Sequence, residues 1–153
     1  MNRIRVPGLQ AFVRTPEGKT WSGTSGTTDL ARDYLLRRDH VLRVGSVTKT
    51  FTAVLILKLV EEGRLSLDDP IAKWFPGFPS AEAITVRHLL NQSSGIPEII
   101  PKVMLKSIIP STSWEPEELV DIVDEEKPNL APGSRFEYSN TNYILLGGIA
   151  EEA

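Results

Sequence analysis

The apolar segment of residues 51–60 constrains the fold of this chain more than any other feature. Apart from Thr52 and Lys58, every residue in the segment is apolar, so a helix here presents apolar side chains on all of its faces. The segment is also far too short to span a bilayer. The sequence therefore predicts a core helix that is buried on every side and that ends at Gly63.

Ser46 and Lys49 lie at the start of this predicted helix, three residues apart. Residues at this spacing share one face of a helix, so the lysine amine can reach the serine hydroxyl. Backbone N–H groups are unpaired in the first turn, and they stabilise negative charge that develops on the serine oxygen. An apolar surrounding favours the neutral amine, which can accept a proton. The pair is typical of an activated serine nucleophile.

A structural interpretation of the same two residues is also open. A Ser-x-x-Lys pair is short enough to occur by chance, so by itself it is a weak motif. In this interpretation Ser46 is an ordinary helix cap and the Lys49 side chain is solvated.

The composition describes a globular chain and excludes several classes of function. Of the 153 residues, 41% are hydrophobic and 24% are charged, as in a single domain of ordinary composition. The net charge of −3 comes without a basic stripe or an aromatic platform, which argues against a nucleic-acid partner. The chain has no cysteine, which excludes disulfides and thiolate chemistry.

The first eight residues lack the apolar core of a secretory signal. As written, the chain is therefore expected to be cytoplasmic, or to have lost a leader, and its compartment stays open. No segment predicts a membrane span.

Three further segments predict regular structure. Residues 9–14 and 19–24 flank the turn Thr15-Pro16-Glu17-Gly18 and predict an antiparallel β-hairpin. Residues 85–92 predict a helix capped by its first residue, and residues 141–152 predict an apolar helix whose two adjacent glycines allow very close packing. The two histidines, His40 and His88, are interpreted as structural.

Taken together, these segments resemble the serine β-lactamase and penicillin-binding-protein superfamily. The resemblance is to the branch of class C β-lactamases, D-alanyl-D-alanine carboxypeptidases and β-lactamase-like esterases, and it extends over nearly the whole chain. It rests on Val6-Pro7-Gly8, residues 44–51, residues 59–65, residues 84–90, Ser94-Gly95, and Pro132-Gly133 ahead of Tyr138-Ser139-Asn140.

The resemblance implies a role for each of four residues. Ser46 would be the acylated nucleophile, and Lys49 would be the nearby base or proton shuttle. Tyr138 would help to activate the serine and protonate the leaving group, because a phenol near cationic groups has a lowered pKa. Asn140 would orient the substrate amide. Which of Lys49 and Tyr138 is the base stays open, and neither a metal nor an organic cofactor is implied.

Two departures from the family pattern bear on activity. Gln92 stands where the family usually has a histidine. The third family motif, Lys-Thr-Gly or His-x-Gly on a late strand, is missing, since only 13 residues follow Asn140 and Lys19-Thr20 is followed by Trp21. That strand normally supplies the second backbone N–H of the oxyanion hole, and losing one such donor costs about a hundredfold to a thousandfold in turnover.

The sequence therefore predicts a mixed α/β, β-lactamase-like fold that is truncated. We expect a single partial domain over residues 1–153, with the hairpin in residues 1–28, a mainly helical region in residues 29–153, and the late sheet strands missing. The predicted reaction is acyl transfer through a Ser46 acyl-enzyme on a small-molecule β-lactam, D-Ala peptide or ester. The alternative is a catalytically impaired fold that binds a partner or self-associates as a homo-oligomer, covering the missing strands.

Overall fold

The computed structural model describes residues 6–31, 33–100, 118 and 128–153. The chain forms two compact units, Met1–Val44 and Gly45–Ala153. The prediction of one domain over residues 1–153 stays a prediction, and each unit is described by itself.

The first unit contains the predicted hairpin. Strand β1 (Gly8–Arg14) pairs antiparallel with β2 (Thr20–Gly26), with Gly8 opposite Gly26 and Arg14 opposite Thr20. In the connecting turn, the Gly18 N–H donates to the Thr15 carbonyl at 2.9 Å. Gly18 has φ +84°, a left-handed conformation that glycine adopts without steric cost. The hairpin predicted from the Pro and Gly turn is thus confirmed.

The second unit is helical and contains the core. Its helices are α1 (Thr48–Glu61), α2 (Val86–Leu90) and α3 (Asn140–Glu152), and 3₁₀ turns span Gly45–Val47 and Ile71–Lys73. Helices α1 and α2 both pack against α3. The core side chains that they share are Ile56, Leu59, Val86, Leu89, Leu145, Leu146 and Ile149. No helix in the described part of the chain is long and apolar enough to cross a bilayer.

Helix α2 is capped as its sequence predicts. The Thr85 hydroxyl accepts a hydrogen bond from the His88 N–H, and the His88 Nδ1 accepts one from the Thr85 N–H at 3.2 Å. These reciprocal bonds satisfy two N–H groups of the first turn. They give His88 a structural role at the start of the helix. The helix ends at Leu90, two residues before the predicted end.

Only one of the two adjacent glycines of α3 lies in close contact. A Cβ atom at Gly148 would lie 3.1 Å from the Phe75 ring, whereas one at Gly147 would meet nothing within 4 Å among the described residues. The close packing expected at this pair therefore occurs at Gly148 alone.

The prediction that residues 51–60 are buried on every side is wrong. Ile56 and Leu59 are buried, but Phe51 is 70% exposed, and Val54 and Leu55 are at least half exposed. Helix α1 buries the side that faces α3 and the rest of the core. An apolar composition does not by itself supply a packing partner for each face of a helix, so the extent of burial depends on tertiary contacts.

Candidate active site

Ser46 lies in the 3₁₀ turn that leads into α1. Gly45 precedes it with φ +54°, a conformation that favours glycine and turns the backbone toward the helix. The N-cap residue of α1 is Val47, whose side chain makes no cap hydrogen bond within the described residues. The Ser46 hydroxyl instead lies 3.0 Å from the Tyr138 hydroxyl and 3.3 Å from the Lys49 Nζ. This geometry disfavours the interpretation of Ser46 as an ordinary cap.

Lys49 connects the start of α1 with the start of α3. Its Nζ donates to the Ser46 Oγ at 3.3 Å and to the Asn140 Oδ1 at 2.6 Å. The same nitrogen lies 5.2 Å from the centre of the Tyr138 ring and 5.6 Å from that of Tyr143, within the range of cation–π attraction. The lysine side chain therefore has polar and aromatic partners on several sides and does not extend freely into solvent.

Tyr138 and Asn140 are positioned by the N-terminus of α3. Ser139 caps this helix: its Oγ accepts from the Thr141 N–H at 3.2 Å and donates to the Pro97 carbonyl at 2.9 Å. Tyr138 lies just before the cap, and its hydroxyl also donates to the Asn140 Oδ1 at 3.2 Å. The structure thus brings the four residues predicted from the sequence into one cluster.

The electrostatics of the cluster act on the Tyr138 phenol. The Lys49 ammonium beside the ring lowers the pKa of Tyr138 below its ordinary value, and the hydrogen bond with Ser46 lowers it further. Burial and the negative charge of Glu98 act in the opposite direction, but they are weaker. The phenolate, which can accept a proton from a serine hydroxyl, therefore forms at a lower pH than in a free tyrosine.

Glu98 supports the cluster, and the sequence interpretation missed it. Its Oε2 accepts from both the backbone N–H and the side-chain Nδ2 of Asn140, at 2.9 and 2.7 Å, while its Oε1 accepts from the Ile100 N–H at 2.8 Å. The carboxylate thereby orients the amide so that Oδ1 faces Lys49 and Tyr138. The two residues are 42 positions apart, and only the nearby Ser94-Gly95 motif points to this segment in the sequence.

A cleft of about 420 Å³ opens beside Ser46. Ser46, Lys49 and Asn140 contribute its polar groups, and Tyr143, Ile144 and Ile100 contribute apolar surface. Such a mixture suits a small organic molecule with a few polar groups. Among the residues that the structure describes, no group of three or more His, Asp or Glu side chains is arranged to hold a metal ion.

Comparison with known proteins agrees with this geometry. The family model described as Beta-lactamase matches residues 1–153. Protein flp of Staphylococcus aureus (strain NCTC 8325 / PS 47) is 38% identical over 157 aligned positions, which cover 99% of this chain and 31% of that protein. The chain thus spans about a third of the length of this relative.

Solved structures of related proteins also match this chain. The D-amino acid amidase of Ochrobactrum anthropi SV3, complexed with L-phenylalanine amide, matches with a TM-score of 0.85 and 35% identity, over 96% of this chain and 41% of that one. The octameric penicillin-binding protein homologue of Pyrococcus abyssi matches with a TM-score of 0.78 and 34% identity, over 95% of this chain and 35% of that one.

The contact between Lys49 and Tyr138 leads to a prediction about titration. Replacing Lys49 with methionine removes the largest cause of the lowered pKa of Tyr138, so this pKa should rise toward its ordinary value and the phenolate should form at higher pH. Ultraviolet difference titration of the tyrosines measures the change in this pKa. The signal that is lost in Tyr138→Phe is the one that belongs to Tyr138.

The matched control is Lys58→Met. Lys58 lies on the same helix but pairs with Glu61 at 2.7 Å, on the solvent side. The Lys58→Met substitution should leave the pKa of Tyr138 unchanged. An equal shift in both variants, or no shift in Lys49→Met, would contradict the electrostatic account.

Proposed function

Since the chain belongs to the β-lactamase family, we propose that it carries the nucleophile half of a serine hydrolase site and that it transfers acyl groups through a Ser46 acyl-enzyme. The observation that carries the proposal is the 3.0 Å contact between the Ser46 and Tyr138 hydroxyls, beside the Lys49 amine. A nucleophile within hydrogen-bond reach of a base, with a third group that orients the base, is the general arrangement of an activated serine.

In the proposed first step, Tyr138 as phenolate takes the proton of Ser46 while the serine Oγ forms a bond to the substrate carbonyl carbon. The carbonyl double bond reforms as the bond to the leaving group breaks, and the Tyr138 phenol returns the proton to the leaving nitrogen or oxygen. In the second step, a water molecule gives a proton to Tyr138 as its oxygen bonds to the acyl carbon. The bond from that carbon to the Ser46 Oγ then breaks, and Tyr138 returns the proton to the serine as the acid leaves. Tyr138 is favoured as the base because its pKa is lowered by Lys49.

Lys49 and Asn140 would assist without taking part in bond formation. The Lys49 Nζ donates to Ser46 and Asn140, so it would stabilise negative charge on the serine and tyrosine oxygens. Asn140 lines the cleft and would orient the substrate amide by exchanging one of the hydrogen bonds that its Oδ1 accepts from Lys49 and Tyr138 for a substrate N–H. Its own Nδ2 is held by Glu98.

Substrates of the proposed reaction are small acyl compounds: β-lactams, D-amino acid amides or D-Ala peptides, and esters. The similarity to a D-amino acid amidase and to a penicillin-binding protein homologue favours amides with a D-configured residue over simple esters. The cleft of about 420 Å³ is the right order of size for a single amino acid amide or a β-lactam.

The direct test is the intact mass of the purified chain after incubation with a penicillin and, separately, with a fluorophosphonate. The penicillin should add its whole mass through ring opening, and the fluorophosphonate should form a Ser46 O–P bond with loss of fluoride. Ser46→Ala should abolish both adducts, whereas Ser25→Ala, which changes an exposed strand serine, should keep them. A folded sample that forms no adduct with either reagent, or an adduct that persists in Ser46→Ala, would refute the proposal.

A second candidate function is self-association, in which another copy of the chain covers α1. Phe51, Val54, Leu55 and Leu57 are each about half exposed or more, which is a large apolar surface for one helix. The octameric homologue shows that a related protein assembles into an oligomer.

Sedimentation velocity over a range of concentrations tests this candidate. The chain should sediment as a dimer or larger, and Leu55→Lys should shift it to the monomer because a charge in an apolar interface is costly. Leu30→Lys, which alters an exposed residue of the first unit, is the control and should have no effect. A chain that is monomeric at all concentrations would exclude this function.

A further inference from the structure

Gln92 occupies an unusual position next to the active site. It follows α2, is 6% exposed, and has φ +62°, a left-handed conformation that is uncommon for residues other than glycine. Such backbone outliers persist where the surroundings hold them, and they concentrate at functional sites. The sequence departs from the family pattern at this residue, where a histidine is usual.

We propose that Gln92 is a positioning residue that fixes Tyr138 against Ser46 by holding the backbone on both sides of the tyrosine. Its main-chain carbonyl accepts from the Glu137 N–H at 2.8 Å, and its side-chain Oε1 accepts from the Ser139 N–H at 2.9 Å. One residue thereby anchors the backbone N–H groups of the residues before and after Tyr138. The phenol is placed by these anchors, because the tyrosine side chain itself is 45% exposed.

The same amide oxygen also holds the first turn of α3. The Asn142 Nδ2 donates to the Gln92 Oε1 at 2.6 Å, and the Asn142 Oδ1 accepts from the Ser94 hydroxyl at 2.5 Å. Ser139 and Asn142 are fully buried, so the donors that Gln92 accepts are shielded from water. Buried donors need an acceptor, and the Gln92 Oε1 is the acceptor for both of these groups at the start of α3.

The chemistry of the side chain explains why a glutamine suits this position. An amide oxygen has two lone pairs and accepts both the Ser139 N–H and the Asn142 Nδ2, whereas a neutral imidazole has one acceptor nitrogen. A histidine here could satisfy only one of the two donors. Glutamine therefore makes one more hydrogen bond at the N-terminus of α3 than a histidine side chain could.

The test replaces Gln92 with methionine, whose side chain is similar in length but cannot accept the hydrogen bonds from Ser139 and Asn142. The main-chain carbonyl that accepts from the Glu137 N–H is kept, so the variant tests the side-chain anchor. Two readouts are followed in the full chain: the pH titration of Tyr138, by NMR of isotope-labelled tyrosine, and the rate of Ser46 labelling by a fluorophosphonate. If Tyr138 moves away from Lys49 and Ser46, its pKa rises toward the ordinary value. Labelling should slow about a hundredfold, the effect expected of a displacement of about 1 Å.

The matched control is Ser94→Ala. It removes a buried hydrogen bond to the same Asn142 but touches neither peptide group beside Tyr138. It should lower stability and leave both the Tyr138 titration and the labelling rate unchanged. A general loss of packing would affect both variants alike, whereas a positioning role affects Gln92→Met alone.

A folded Gln92→Met variant with an unchanged Tyr138 titration overturns the proposal, and so does an equal effect in Ser94→Ala. If Gln92→Met does not fold, amide hydrogen exchange of the unaltered chain decides. Protection of the Glu137 and Ser139 amides supports the anchors, and free exchange refutes them.

The labelling readout rests on the proposed function, but the titration does not. If the fluorophosphonate never labels Ser46 in the unaltered chain, the proposed acyl transfer is refuted. The titration of Tyr138 still tests the role of Gln92.

Discussion

The hydrogen bond from the Lys49 amine to the Asn140 amide oxygen, 2.6 Å long, joins the N-termini of α1 and α3, and the other site contacts depend on it. Local helix spacing places the amine near Ser46, and this bond holds it beside Tyr138 at the start of the other helix. Two helix starts supply the polar groups of the cluster, and the positive ends of the helix dipoles favour negative charge at the point where they meet. Packing of α1 and α3 through the core maintains this arrangement.

Residues that contact the cluster from outside determine how it is oriented. Glu98 holds the amide of Asn140 in one orientation, and Ser139 uses its hydroxyl both to cap α3 and to bond the Pro97 carbonyl. Gln92, Pro97 and Glu98 come from the segment that follows α2. The backbone around Tyr138 and the amide of Asn140 are therefore oriented by a third part of the chain, whose own polar groups are largely buried.

The sequence predicted some features well and others poorly, for a physical reason. The Ser46 and Lys49 pair follows from local helix geometry, and the hairpin follows from its turn residues. The contact of Tyr138 with Ser46 spans 92 positions and was predicted through the family resemblance alone. Glu98 was missed because nothing in local spacing indicates a carboxylate that faces an amide 42 residues away. The burial of α1 was overestimated because apolar composition does not specify what packs on each face.

A double-mutant cycle on Lys49 and Tyr138 tests most directly whether the cluster acts as one unit. The rate of Ser46 labelling by a fluorophosphonate is measured for the unaltered chain, Lys49→Met, Tyr138→Phe and the double variant. If the lysine acts through the tyrosine, the effects are strongly non-additive, and the double variant labels about as fast as the slower single variant. The account would be contradicted if the two substitutions slowed labelling by independent factors that multiply in the double variant. It would also be contradicted if neither substitution changed the labelling rate.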